Sequence, residues 1–364
     1  MGAETVTAVA VRGPEVLDEV VIFSLPDPDR ALAGVRLLQE IRRPRNGPEF
    51  QRDANADVWK AAFLRPKADR MEYQLELHHE DGGYEVIPDP GNPLTAPGPF
   101  GHKSVLELPG YTSPAWLEED APAGDETPAL ITSRILRDRI PAIVWAPADT
   151  DPEEPLPLLV AHDGPEYAKF SALTHYLAVM VSRGRIPRCR AGLVGPVDRD
   201  NTYSASAAYS RAMAHEILPA LDRLAPTRHG RSARIGMGAS LGGLAMLVQH
   251  RRAPATFGGL FLQSGSFFRQ RFDAHESGFA RFRRISRFVG GVLTADDWAH
   301  PIPITMTCGA VEENLANNRA VRDALEAQGY DVYLFENRDA HNWVGWRDTF
   351  DPHLTDLLAK VWSA

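Results

Sequence analysis

Cysteine is nearly absent: the 364-residue chain holds two, Cys189 and Cys308. Two cysteines so far apart do not make a disulfide framework. Cys308 in an apolar run and Cys189 at the edge of one read as free, at least partly buried thiols. Lysine is scarce as well, with five residues at positions 60, 67, 103, 169 and 360, and the formal net charge is -9. That balance gives no support to nucleic-acid binding, which needs a basic surface to displace counterions from phosphates. Long apolar runs are missing too: nowhere do roughly 18 apolar residues follow one another, so no membrane-spanning helix is predicted. The start, MGAETVTAVAVRGPEV, has an early acid and no sustained apolar stretch for a secretory leader, and Val6 stands where a myristoylation signal needs Ser or Thr. These absences predict a cytoplasmic location. What is present, 44% apolar and 24% charged residues, suits an ordinary soluble globular protein, and the length favours two domains.

The first third reads as antiparallel β structure. In MEYQLEL, Met71, Tyr73, Leu75 and Leu77 alternate with Glu72, Gln74 and Glu76, which predicts one face on a core and one in water. Similar short runs, VVIFSL, GVRLLQE and KSVLELPG, are separated by turn clusters, so an all-β sandwich is expected over residues 1–117. Residues 118–127, within the acidic stretch EEDAPAGDETP, lack any large apolar side chain and read as a linker. From 128 to 364 the pattern changes. Short buried strands (LPLLVAHD, RAGLVGPV, RIGMG, FGGLFLQSGS, PITMTCGA, DVYLFEN) alternate with helical segments such as SALTHYLAVMVSRG and SAAYSRAMAHEILPALDRL. That alternation predicts an α/β domain with a mostly parallel, helix-covered sheet.

One junction carries chemistry. RIGMGASLGGLAML has neither the third glycine in register that a dinucleotide fingerprint needs nor the lysine of a Walker loop. It does contain G-x-S-x-G, as Gly238-Ala239-Ser240-Leu241-Gly242, between a strand and a helix, where the nucleophile elbow of an α/β-hydrolase belongs. A serine needs a histidine base oriented by a carboxylate, and in this fold the chain order is Ser, acid, His. Downstream lie His250, His275, His300, His341 and His353. His341, in the loop after the last strand, is the expected base. Glu312 leads for the acid, with Glu313 and Asp339 as alternatives. The Leu241 amide is one expected oxyanion donor. In HDGPEY the residue after the glycine is Pro165, which has no N–H, so the second donor falls to Gly164, Glu166 or a side chain.

With these residues the chain resembles the enterochelin (enterobactin) esterase family over nearly its whole length. The resemblance runs through ADVWKAAFLRP, IPDPGNP, GHKSVLELPGY, LLVAHDG, DRDNTYSASAAYSRAMAHEILPAL, GASLGG, CGAVEENLANNRAVRDALEAQGY and AHNWVGWRD. It implies an immunoglobulin-like amino-terminal domain and a cytoplasmic serine esterase that opens the trilactone of an iron-loaded catecholate siderophore. Ser240, Glu312 and His341 take the triad roles. No cofactor and no catalytic metal are implied; the iron belongs to the substrate. Such a trianion calls for arginine and aromatic faces. Arg199 falls at the family's arginine position, and Trp343, Trp346 and Arg347 follow the histidine. The other readings are a structural ion pair for Arg199 and core packing for the tryptophans. Where relatives place an acid shortly after the arginine, NTYSAS has none. Two further functions stay open: an esterase for aryl, acetyl or carbohydrate esters, and a non-catalytic binding protein of the same fold.

Overall fold

The computed structural model of the chain describes residues 13–41, 47–53, 55–298 and 300–363. The amino-terminal stretch read for a leader or a lipidation signal falls largely in 1–12, outside the described residues. The chain forms two compact units. The first takes the residues up to Tyr111 and two later returns, Ala310–Glu312 and Arg338–Asn342; the second takes Thr112–Gly309, Glu313–Asn337 and Trp343 onward.

In the first unit, β1 (Glu15–Val16), β2 (Val20–Pro26), β4 (Gln51–Asp53) and β5 (Val58–Leu64) form one antiparallel sheet. A second sheet joins β3 (Leu32–Gln39), β6 (Arg70–His79), β7 (Tyr84–Ile87), β8 (Thr95–Ala96) and β9 (Lys103–Glu107). One core takes alternate residues from both sheets, among them Val21, Phe23 and Phe63 from the first and Leu37, Tyr73 and Leu75 from the second. The expected alternation along β6 fails at one place. Glu72 is buried, because Arg70, two residues earlier on the same face, places its guanidinium 2.9 Å from the Glu72 carboxylate.

The second unit is built on an eight-stranded sheet. Its order is β10 (Asp125–Ser133), β11 (Asp138–Ala146), β13 (Arg190–Val194), β12 (Leu158–His162), β14 (Arg234–Ala239), β15 (Gly259–Gln263), β16 (Ile304–Gly309) and β17 (Val332–Asn337). From β13 to β17 the pairing is parallel, and β10 and β11 add antiparallel strands at one edge. β10 begins at Asp125, inside the segment read as linker. Most of its side chains are exposed, which is why neither apolar content nor alternation marked it.

The central strands are covered on both faces. Along β12, Leu158 and Val160 enter one apolar cluster, and Leu159 and Ala161 enter the other. The covering helices are α1 (Gly164–Ser171), α2 (Leu173–Ser182), α3 (Arg199–Thr202), α4 (Ala207–Ala212), α5 (Leu218–Leu224), α6 (Leu241–Arg252), α7 (Phe282–Thr294), α8 (Leu315–Ala327), α9 (Trp343–Arg347) and α10 (Thr355–Trp362). The helix expected over 206–224 is capped by the Ser206 hydroxyl and is continuous, but a π turn at Met213–Ile217 separates α4 from α5. Neither α1 nor α7 was anticipated. Among the described residues no helix is long and apolar enough to cross a membrane.

Strand order places the site. The chain leaves β12 for β13 on one side and then crosses to β14 on the other, so the turns after β12 and β14 diverge at a topological switch point. The turn after β12 holds its helix against the sheet through Gly164, where a Cβ would lie 2.3 Å from the Leu193 Cα. The obstacle is backbone and cannot rotate away, so we predict that Gly164→Ala lowers the unfolding free energy by about 2–3 kcal/mol. Denaturant unfolding measures it, and an unchanged midpoint would refute the steric account.

Candidate active site

Ser240 joins β14 to α6 with φ 55° and ψ -123°, a backbone region that costs a non-glycine residue on the order of 1–3 kcal/mol. The surroundings hold it there. Its N–H donates to the Gln263 carbonyl at 2.9 Å, and its carbonyl accepts from Leu244 and Ser266 N–H groups at 3.1 Å each. The turn is tight enough that a Cβ on Gly238 would lie 2.5 Å from the Gly242 carbonyl carbon, and one on Gly242 would lie 3.2 Å from the His162 Cβ. This crowding is the physical content of the G-x-S-x-G spacing. The Ser240 hydroxyl stands at the head of α6, 3.0 Å from the Ser266 hydroxyl.

Ser266 and Gln263 were not singled out in the sequence, although polar residues in QSGS closing an apolar strand were the available signal. Gln263 is fully buried and accepts from the Tyr167 hydroxyl at 2.7 Å. Its Nε2 donates to the Trp346 carbonyl and the Thr349 hydroxyl, both at 2.9 Å. A satisfied buried network of this kind fixes one arrangement of the loops that meet it.

The turn after β12 carries the other polar groups of this unit. Asp163, at φ 50°, opens α1 and receives the Arg199 guanidinium through Nε at 2.9 Å and Nη2 at 2.7 Å. The carboxylate that NTYSAS lacks is supplied from an earlier turn, and Arg199 makes the ion pair of the alternative reading. Its side chain remains 36% exposed. Pro165 lies in the first turn of α1, where a missing N–H interrupts no helical bond; the first such bond runs from Tyr167 N–H to the Asp163 carbonyl at 2.9 Å. Burial raises the pKa of the half-buried Glu166 carboxyl in the same turn.

His341 and Glu312 both lie in segments of the first unit, beyond the ends of β17 and β16. His341 Nδ1 is 2.8 Å from Glu312 Oε2, and the Glu312 side chain is 1% exposed against 31% for the imidazole. The other two carboxylates face elsewhere. Glu313 bonds His275, and Asp339 accepts from the Ala340 N–H at 2.6 Å and the Asn342 amide at 2.8 Å. Burial pushes the Asp339 carboxyl up to about 7, against the pull of Arg70.

The remaining candidates divide. Trp346 is buried in the core of the second unit, with Nε1 donating to the Ser264 hydroxyl at 2.9 Å, so it is not the exposed platform a ligand would need. Trp343 is half-buried and edge-on to Tyr167 at 5.2 Å. Arg347 donates to its neighbour Asp348 at 2.8 Å. His250 is buried against the Tyr330 hydroxyl at 3.0 Å, and His353 lies 4.1 Å from the Phe335 ring. Among the described residues, His275, Glu276 and Glu313 bring three possible metal-ligand atoms within 4.8 Å of one another. Their side chains are 34%, 40% and 37% exposed, and the ester chemistry proposed below makes no use of them.

Residues 133–357 match the family model described as Putative esterase. The chain belongs to the Putative esterase family. It is 26% identical to the iron(III) enterobactin esterase of Escherichia coli O6:H1 over 308 residues, 81% of this chain and 72% of that protein. It is also 26% identical to the uncharacterized protein YjcH of Bacillus subtilis over 237 residues, 62% of this chain and 94% of that one. Of the solved structures, the ferric enterobactin esterase of Salmonella typhimurium matches with a TM-score of 0.78 at 21% identity, covering 96% of each chain. The chain is thus a carboxylic ester hydrolase with an α/β-hydrolase fold.

In this esterase the elbow rests on a buried imidazole. His162 Nδ1–H donates to the Gly242 carbonyl at 3.0 Å, the ring stacks on Tyr203 at 4.5 Å, and burial lowers its pKa to about 4. A histidine depressed on folding contributes stability that is whole above its unfolded pKa near 6.5 and is lost as pH falls toward 4. We predict that the wild type loses on the order of 3 kcal/mol between pH 7 and pH 4 that His162→Phe does not lose. Denaturant unfolding at the two pH values checks this, and parallel pH curves would refute it.

Proposed function

We propose that the chain is a serine esterase in which Ser240 is the nucleophile, His341 the general base and Glu312 the residue that orients it. The reading rests on the 2.8 Å pairing of His341 with Glu312, on segments that follow the elbow in the order Ser, acid, His. His341 takes the Ser240 proton as Oγ attacks the ester carbonyl. The carbonyl oxygen becomes an oxyanion facing the Leu241 amide at the head of α6 and the Gly164 amide at the head of α1. Pro165 has no N–H, and Gly164 is the donor this reading takes from that turn. The C–O bond then breaks and the leaving alkoxide takes the proton from His341. A water, deprotonated by His341, releases the acyl group, and Ser240 recovers its proton.

For substrate we propose the trilactone of an iron-loaded catecholate siderophore, with iron released in the cytoplasm. Support comes from the curated enterobactin esterases of two Escherichia coli strains, 26% and 25% identical over 308 residues. A polyanion also suits the Arg199 guanidinium, part of which stays exposed beside Asp163.

Three measurements test this. Ser240→Ala is expected to lower turnover of ferric enterobactin roughly 10,000-fold or more while leaving the fold intact. Wild-type inactivity on iron-loaded trilactones, with turnover of feruloyl or p-nitrophenyl esters, would overturn the substrate and leave the mechanism. Failure of a fluorophosphonate to label Ser240 would overturn the nucleophile and favour a binding protein of the same fold.

A further inference from the structure

We propose that Arg70, a residue of the amino-terminal sandwich, is a positioning residue for the catalytic histidine: its buried guanidinium holds the segment in which His341 sits. The inference rests on the serine-esterase reading and gives the sandwich a part in the chemistry.

The contacts all lie within the first unit. Arg70, 3% exposed at the start of β6, donates to the Asn342 side-chain carbonyl at 3.2 Å, and its Nη1 lies 3.6 Å from Asp339 Oδ2. The Asn342 amide donates back to Asp339 Oδ1 at 2.8 Å, and that oxygen also accepts the Ala340 N–H at 2.6 Å. His341 is thus the residue inside a closed ring of bonds running through its chain neighbours. The preceding residue continues the grip: the Asp69 N–H donates to the Arg338 carbonyl at 2.7 Å, and Asp69 Oδ1 accepts from Arg338 Nε at 2.8 Å. On the acid side, Val311 packs against the sandwich core immediately before Glu312. Both halves of the dyad are therefore seated on the same support.

The chemistry of the grip separates positioning from mere stability. Arg70 and Glu72 are 2.9 Å apart with side chains 3% and 8% exposed, and burial raises the pKa of both Glu72 and Asp339. Replacing such a buried ionic group with apolar residues of similar volume is often neutral or stabilising, so stability alone does not call for it. A planar guanidinium supplies what apolar packing lacks, a directional fork whose donors fix where their acceptors lie. It also stays charged at every working pH. Catalytic geometry is intolerant: a displacement of about 1 Å costs on the order of 100-fold in rate.

The test compares Arg70→Met, Arg70→Lys and Asn342→Ala with Arg52→Met. The last removes a different sandwich ion pair, to Asp27 at 3.2 Å. The readouts are the rate of Ser240 labelling by a fluorophosphonate, kcat and KM on p-nitrophenyl butyrate, and the downfield Nδ1–H proton signal of His341. Arg70→Met is expected to slow labelling and lower kcat by about 10- to 100-fold, with KM held within about threefold and the proton signal broadened or lost. Arg70→Lys should recover part of the rate. Should Arg70→Met fail to fold, Asn342→Ala, which removes one acceptor and leaves the buried charges paired, should show the same kcat loss in smaller measure. Folded variants that label at the wild-type rate, or an equal loss in Arg52→Met, would overturn the proposal. His341→Ala labelling as fast as wild type would instead overturn the reading beneath it.

Discussion

The backbone of Ser240 is the constraint on which the second unit turns. At φ 55° and ψ -123° a serine is held in a conformation it would not choose, and its hydroxyl stands at the end of a strand because of it. The strain persists because three main-chain hydrogen bonds, to Gln263, Leu244 and Ser266, close around that one residue. Each has a cost in sequence. Gly238 and Gly242 must lack side chains so that strand and helix can meet at this angle, and Gln263 must bury a carboxamide to tie the neighbouring strand to the segment holding Trp346 and Thr349. A looser core would let the serine relax into an ordinary turn. Here nearly every group that could yield is backbone or is already hydrogen-bonded.

A second polar centre stands at the end of the neighbouring strand β12. Asp163 is also in a left-handed conformation, and its carboxylate takes two guanidinium nitrogens of Arg199 while its N–H meets the Tyr203 hydroxyl at 3.3 Å. His162, beside it, ties this turn to the elbow through the Gly242 carbonyl. Two strained turns on adjacent strands are thus linked by a ring that must remain neutral to fit. The two turns diverge at the switch point of the sheet, and the histidine and the ion pair hold them in place.

Much of this was legible in the sequence, for identifiable reasons. Strands β12 and β14 to β16 are short apolar runs closed by glycine or polar residues, so their pattern marked them, and the elbow showed itself because steric crowding leaves a compositional trace. β10 left none, being an edge strand whose side chains mostly face water. α1 was hidden by Pro165, which reads as a turn signal yet is well tolerated in a first helical turn. The partner of Arg199 left no local trace, because ion pairs answer to space and Asp163 is 36 residues away in sequence. Position after the strand favoured Glu312 over Glu313 and Asp339 without excluding them; in space Glu312 lies 2.8 Å from His341 Nδ1, while Glu313 bonds His275 and Asp339 bonds its own loop. Glu72 broke an otherwise regular alternation for the same reason: its partner Arg70 is itself buried.

The short returns of the chain, Ala310–Glu312 and Arg338–Asn342, carry a consequence for how such proteins diversify. A sandwich followed by a hydrolase looks like two beads on a string, freely exchanged between relatives by recombination at the junction. Here the later part of the gene encodes pieces that belong to the earlier bead. A crossover near residue 111 would bring in a foreign sandwich with no matched Asp69 and Arg70, and Arg338, Asp339 and Asn342 would lose the partners they face. The two halves are therefore bound to be inherited as a pair, and substitutions in β6 are expected to track those in the last loop across the lineage.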